Sequence, residues 1–179
     1  MITVNFGSFK EYDMKNRFFN MNLAGGALLD IGVYALSIVR SFMTEKPADI
    51  VSQWKPSPAG SDEQAAILLK NKDGQMATVA LSLHSKQPKR AMISCEKGYI
   101  EIMEYPRADR AKIVDASTGE KKEISCGKTE DALFYEMTDM ERAVESGDET
   151  EMYLNYTKDV MDIMTGLRRE WGLKYPEEM

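Results

Sequence analysis

One run of sequence limits the fold of this chain more than any other. Residues 24–43, AGGALLDIGVYALSIVRSFM, are its most apolar stretch. On a wheel of 3.6 residues per turn, Leu28, Ile31, Ala35, Ile38 and Phe42 step by three and four, and Leu29, Val33, Leu36 and Met43 follow less regularly. The spacing predicts a helix over 26–43, covered on most sides. Asp30 and Arg40 inside the run argue against a membrane span. One narrow polar stripe remains: Asp30, Tyr34, Ser37 and Ser41. A buried carboxylate without partners costs several kcal/mol or is neutralised, so Asp30 needs donors or water. Two accounts stand open. Asp30 is structural, paired with a neighbour such as Arg17, and Tyr34 is a half-buried core aromatic. Alternatively the stripe lines a cleft, where Asp30 accepts a substrate hydroxyl and Tyr34 donates a hydrogen bond or a proton.

The rest of the chain supplies what such a helix would pack on. Ile2, Val4 and Phe6 alternate as in a strand. From residue 48 to about 125, short β-rich segments follow one another at 49–56, 63–70, 75–84, 89–95, 98–103, 110–115 and 120–125. NKDG at 71–74, EKG at 96–98 and STGE at 117–120 are hairpin-like connections. Short connections imply antiparallel neighbours and hence a meander. In segment 75–84, Ala77, Val79, Leu81 and Leu83 form a face suited to a cover of helices. Met76, Thr78 and Ala80 form an outer face suited to a subunit interface. Two helices close the chain. One spans 130–146 with Leu133, Met137, Met140 and Val144 at helical spacing, stopped by Gly147. The other spans 155–171, capped by Asn155 and ended by Gly172. Strands and helices are segregated, which predicts an α+β fold: one domain over 1–179 whose open, mostly antiparallel sheet is covered on one face by helices.

Chemistry elsewhere is thin. A net charge of −6 and scattered Lys and Arg argue against nucleic-acid binding. KQPKR at 86–90 reads as a solvated turn. Cys95 and Cys126 have no metal-ligand spacing and read as small buried hydrophobes in a reducing, cytoplasmic setting. His84, the single histidine, reads as a strand-end residue on the outer face. No metal cluster, Ser–His–Asp arrangement or G-x-G-x-x-G fingerprint occurs, so no dinucleotide cradle is expected in this chain.

Residues 16–43, NRFFNMNLAGGALLDIGVYALSIVRSFM, resemble a segment of the glucose–fructose oxidoreductase / inositol dehydrogenase / MocA family, nearest its dimeric dihydrodiol dehydrogenase branch. Gly25, Gly26, Asp30, Gly32 and Tyr34 match that family's G-G-x-x-x-D-x-G-x-[HY] pattern. The resemblance implies the substrate-binding and dimerisation domain of a longer NAD- or NADP-dependent enzyme acting on a sugar, polyol or dihydrodiol CH–OH group. Its cofactor would sit mainly on an N-terminal Rossmann domain absent here, and the isolated chain would be inactive. The resemblance implies catalytic roles for Asp30 and Tyr34, with Gly25, Gly26, Arg17, Phe134 and Tyr135 near substrate or cofactor. The family's E-K-P lysine belongs to the other domain, so EKP at 45–47 reads as coincidence. A non-catalytic ligand-binding or scaffold protein of the same fold is the alternative.

Overall fold

The computed structural model describes residues 1–178. Eight strands form one sheet: β1 (Ile2–Gly7), β2 (Asp49–Pro56), β3 (Asp62–Lys70), β4 (Met76–Ser82), β5 (Gln87–Cys95), β6 (Gly98–Met103), β7 (Arg110–Asp115) and β8 (Lys121–Ser125). Their order is β2-β3-β4-β1-β5-β6-β7-β8. The expected meander is therefore interrupted. β4 and β5, joined by a short loop, do not pair. The first strand lies between them, parallel to β4 and antiparallel to β5. The loop passes over the end of β1, where Gly7 lies opposite Ser82 on one side and Gln87 on the other. All other pairings are antiparallel.

The long apolar run becomes a π turn, Leu28–Gly32, continuing into helix α1, Val33–Phe42. Helices α2 (Ala132–Ser146) and α3 (Leu154–Glu170) follow the sheet. Alternation along the strands selects one face for the core. Val4, Ile67, Leu69, Val79, Leu81 and Ala91 are buried there against Leu28, Leu36 and Val39, and α3 adds Val160, Ile163, Met164 and Leu167. Truncating any one of these leucines to Ala should cost about 2–5 kcal/mol through lost transfer energy and a cavity. Residues Met21–Phe42 have the length and composition to cross a membrane, but half of the run is buried. Arg40 is buried within it, donating to Asp159 at 2.7 Å with its guanidinium over the Tyr156 ring at 4.3 Å. Lys46 of the EKP tripeptide reaches Asp162 on α3 at 2.6 Å, a structural tie.

Other expectations need correcting. KQPKR is not a turn: β5 starts at Gln87, and Lys89 and Arg90 pair with Glu104 and Glu101. Both cysteines are exposed, because Cys95 ends β5 and Cys126 follows β8 at the sheet margin. Asn155 does not cap α3; Tyr153, at φ 48°, occupies that position without a side-chain bond. His84 lies beyond the end of β4, stacked on Tyr12 and Phe9 with ring centroids 4.1 and 5.2 Å away. The helical spacing of Leu133, Met137, Met140 and Val144 does form a helix, α2, on which all four face solvent.

Candidate active site

The site is built on the start of the helix. Gly25 and Gly26 make a turn that no side chain could share. A Cβ on Gly25 would lie 2.5 Å from the Arg17 carbonyl oxygen, and one on Gly26 would lie 2.0 Å from Asp62 Oδ1. Gly26 also has φ 137°, a conformation L side chains rarely adopt. The close approach that these glycines permit is thus to the chain's own segment 17–20 and to Asp62. Asp62 is wholly buried, and its Oδ2 accepts the Leu28 amide at 2.6 Å, satisfying an orphan donor of the helix start. Its Oδ1 has no partner among the described residues. Burial pushes its carboxyl up to about 7, against the opposing pull of nearby backbone amides and Arg168.

From this anchor the π turn presents Asp30. A single π turn widens the helix and re-aims the side chains on it, a device often found at functional sites. Asp30 is 12% exposed at its side chain and pairs with Arg17 at 2.5 Å, whose own side chain is 61% exposed. Arg17 rides on the segment between β1 and the helix. Phe19 is buried there, and the Ser61 hydroxyl donates to the Phe19 carbonyl at 3.1 Å. Tyr12 anchors the same segment by donating its hydroxyl to buried Glu63. Burial alone would raise the Glu63 carboxyl, but hydrogen bonds from Lys55 and Tyr12 hold it below the usual range. That same bond pushes the Tyr12 phenol up to about 12.

Tyr34, half exposed, leans on the Phe6 ring at 6.2 Å. It lines two clefts. One, of about 830 Å³, is bordered by Phe6, Lys89, Glu104, Arg107 and Thr129. The other, of about 550 Å³, is bordered by Ser37, Ser41, Tyr105, Tyr153 and Tyr156. Of the polar stripe, Tyr34, Ser37 and Ser41 thus face open space, the two serines in the tyrosine-lined cleft, whereas Asp30 and its partner Arg17 line neither cleft. Phe134 and Tyr135 line neither cleft. Phe134 points to solvent on α2, and the Tyr135 hydroxyl accepts the Lys128 amide at 3.1 Å.

Sequence reasoning missed Asp62, Tyr105, Tyr153 and Tyr156. Asp62 reads as an ordinary turn residue ahead of a strand, and only the tertiary contact to Leu28 gives it a role. Among the described residues no group of three or more His, Cys, Asp or Glu could hold a metal ion. A dinucleotide finds no cradle either. The parallel pair β1–β4 is not joined by a glycine-rich turn running into a helix, and the glycine pair before α1 closes on Asp62 and segment 17–20.

Known proteins resemble this arrangement. Residues 1–101 match a family model described as the GFO/IDH/MocA C-terminal domain. A trans-1,2-dihydrobenzene-1,2-diol dehydrogenase from Danio rerio is 24% identical over 168 residues, covering 88% of this chain and 49% of its own. The enzyme of that name from Mus musculus is 32% identical over 82 residues, covering 45% of this chain and 25% of its own. Among solved structures, KijD10, a 3-ketoreductase from Actinomadura kijaniata in complex with NADP and TDP-benzene, superposes with a TM-score of 0.77 at 15% identity. That match covers 94% of this chain and 52% of the other. An aldose-aldose oxidoreductase from Caulobacter crescentus, complexed with glycerol, gives 0.74 at 20% identity, covering 94% and 53%. These similarities show the fold. The chain spans about half the length of the longest-matching curated relatives and of these structures, and well under half of the others.

Proposed function

Since this chain belongs to the GFO/IDH/MocA C-terminal domain family, we propose that it is the substrate-side domain of an NAD- or NADP-dependent oxidoreductase. Its substrate would carry a CH–OH group on a sugar, polyol or dihydrodiol. The names of its relatives support this reading: dihydrodiol dehydrogenases in sequence, and a ketoreductase with NADP and an aldose oxidoreductase in structure. The nicotinamide, which supplies hydride chemistry, would be held by a separate dinucleotide-binding domain, since the residues here form no cradle for it.

One observation carries the proposal: Asp30 and Tyr34 sit one turn apart on a polar stripe, and Tyr34 borders both clefts. In this reading the Tyr34 hydroxyl hydrogen-bonds the reacting oxygen. Asp30, held by Arg17, orients a neighbouring hydroxyl. The tyrosines around Ser37 and Ser41 give a ring-shaped substrate apolar faces with polar edges. Asp30→Asn and Tyr34→Phe in the complete protein should each lower kcat/KM by at least ~10-fold. Values within about threefold of wild type, under roughly 0.7 kcal/mol, would remove both residues from the chemistry.

The Arg17–Asp30 pair favours a second reading, in which Asp30 only fastens segment 8–20 and the fold serves ligand binding without turnover. Ligand affinity that survives in a protein with no NAD(P)H-linked activity would select it. We also propose a dimer through the outer sheet face, where Val51, Leu68 and Met76 are exposed. Sedimentation should give a dimer that Leu68→Lys converts to monomer; a wild-type monomer contradicts it. Two exposed, unpaired thiols support a reducing, cytoplasmic setting.

A further inference from the structure

The chain leaves α3 by a turn that carries it back to the glycine pair ahead of Asp30. Trp171 caps the helix and Gly172 takes φ 66°. The Gly172 amide donates to the Arg169 carbonyl at 3.1 Å, and the Leu173 amide to the Arg168 carbonyl at 2.9 Å. This double bond pattern satisfies the last carbonyls of the helix and turns an apolar residue inward. Leu173 is buried, and so is Tyr175. Pro176 then opens a single turn, Pro176–Glu178, which packs on the Met21–Leu23 turn just before Gly25 and Gly26.

An ion pair holds this segment in place. Arg168 grips both oxygens of Glu178, at 2.9 and 2.8 Å, and its guanidinium lies over the Tyr175 ring at 5.1 Å. One Glu178 oxygen also accepts the Tyr175 amide at 3.1 Å. A bidentate pair of this kind fixes orientation as well as distance. Arg168 first, and then the Tyr175 amide, hold the Glu178 carboxyl down to about 2. Thus placed, the Tyr175 hydroxyl donates to the buried Gly25 carbonyl at 2.9 Å, across 150 residues of chain. Burial, and after it the Asp62 charge, push the Tyr175 phenol up, so it stays a donor. Phenylalanine there would fill the same space and withdraw that donor.

The loop so held is the one that aims Asp30 and Tyr34. The Gly25 amide donates to the Asn20 carbonyl, the Gly26 amide to the Phe18 carbonyl and the Asp30 amide to the Gly26 carbonyl, at 3.0, 2.9 and 3.1 Å. Asp62 on β3 holds the Leu28 amide, and Tyr175 holds Gly25. We infer that residues 168–178 brace the site, with Tyr175 a positioning residue that acts through the Gly25 carbonyl to set where Asp30 and Tyr34 stand. The inference rests on the catalytic reading of those two residues above. Tyr175 lines neither Tyr34 cleft, so its part is geometric. Geometry suffices, because misplacing a reacting group by about 1 Å costs on the order of 100-fold in rate.

Tyr175→Phe in the protein translated from its complete coding region tests this, read by hydrogen exchange and by kinetics. The amides of Gly26, Leu28 and Asp30 should exchange at least ~5-fold faster, while those of β3 and β4 keep wild-type rates. NAD- or NADP-linked oxidation is followed with D-glucose, myo-inositol or benzene dihydrodiol as probe, whichever the wild type turns over. It should lose at least ~5-fold in kcat with KM within about twofold. Glu178→Gln, which removes only the charge of the ion pair, should speed the same amides by ~2-fold and serves where Tyr175→Phe folds poorly. Unchanged exchange at Gly26, Leu28 and Asp30 overturns the inference. Faster exchange spread evenly over the sheet also overturns it, making Tyr175 an ordinary core residue. So does a wild-type kcat in Tyr175→Phe when Tyr34→Phe is impaired. The two readings fail separately: faster local exchange with activity indifferent to Asp30→Asn and Tyr34→Phe leaves the brace standing and defeats only the catalytic reading.

Discussion

Asp62 accepts the amide of Leu28 at 2.6 Å, and by that one bond a buried carboxylate at the start of β3 fixes the first turn of the helix that carries Asp30 and Tyr34. The bond joins positions 34 residues apart in sequence. It makes the acid–base state of Asp62 a determinant of stability. Because burial raises its carboxyl from 3.8 to about 7, the folded state keeps a proton that the unfolded chain has lost over that window. The stability linked to this proton is complete below pH ~4 and is lost as pH rises through about 7. Asp62→Asn, neutral throughout, should flatten the decline. Urea unfolding of both proteins from pH 4 to 8 measures it, and parallel curves would show that Asp62 is ionised at no cost.

Gly26→Ala should destabilise the fold by more than ~2 kcal/mol, through forced positive φ and collision with Asp62 Oδ1. Paired with Asp62→Ala, the losses should add to less than their sum, because the second change removes the obstacle. Denaturant midpoints for the four proteins of the cycle decide this; strict additivity would mean that the two groups do not meet.

Arg17→Gln should change stability by no more than ~1 kcal/mol, since the guanidinium is 61% exposed and screened by water. Its effect should shrink further in high salt. A loss above ~2 kcal/mol would mean that the pair is a structural lock and would strengthen the non-catalytic reading of Asp30.

Both thiols should react with a water-soluble disulfide reagent in the native protein, at rates unaffected by sub-denaturing urea, because Cys95 and Cys126 are exposed. A thiol that labels only on unfolding would be a buried one.

Much of the sheet could be read from alternation and turn chemistry. Ala77, Val79, Leu81 and Leu83 are all buried as their spacing implies, and the connections NKDG, EKG and STGE each join paired strands. The insertion of β1 could not be read, because a loop as short as that between Ser82 and Gln87 signals a hairpin unless a distant segment competes for the same edge. The periodicity of α2 correctly indicated a helix with one apolar face. Periodicity carries no information about what covers that face. For the candidate site, the stripe from Asp30 to Ser41 came from the wheel. Its opposite wall, Tyr105, Tyr153 and Tyr156, is assembled from two other parts of the chain and has no local signature.

The central position of β1 makes the first six-residue strand the keystone of an arch. Without it, β2–β4 and β5–β8 are two separate ribbons, each with one raw edge facing a gap one strand wide. The arch can close only after synthesis has passed β5, when the residues of β1 return to hydrogen-bond with strands made some eighty residues later. The same geometry makes the protein a natural candidate for splitting. A peptide carrying β1, supplied in trans to the remainder, would restore the sheet by strand addition, so that assembly of the whole domain could be switched on by a short tag.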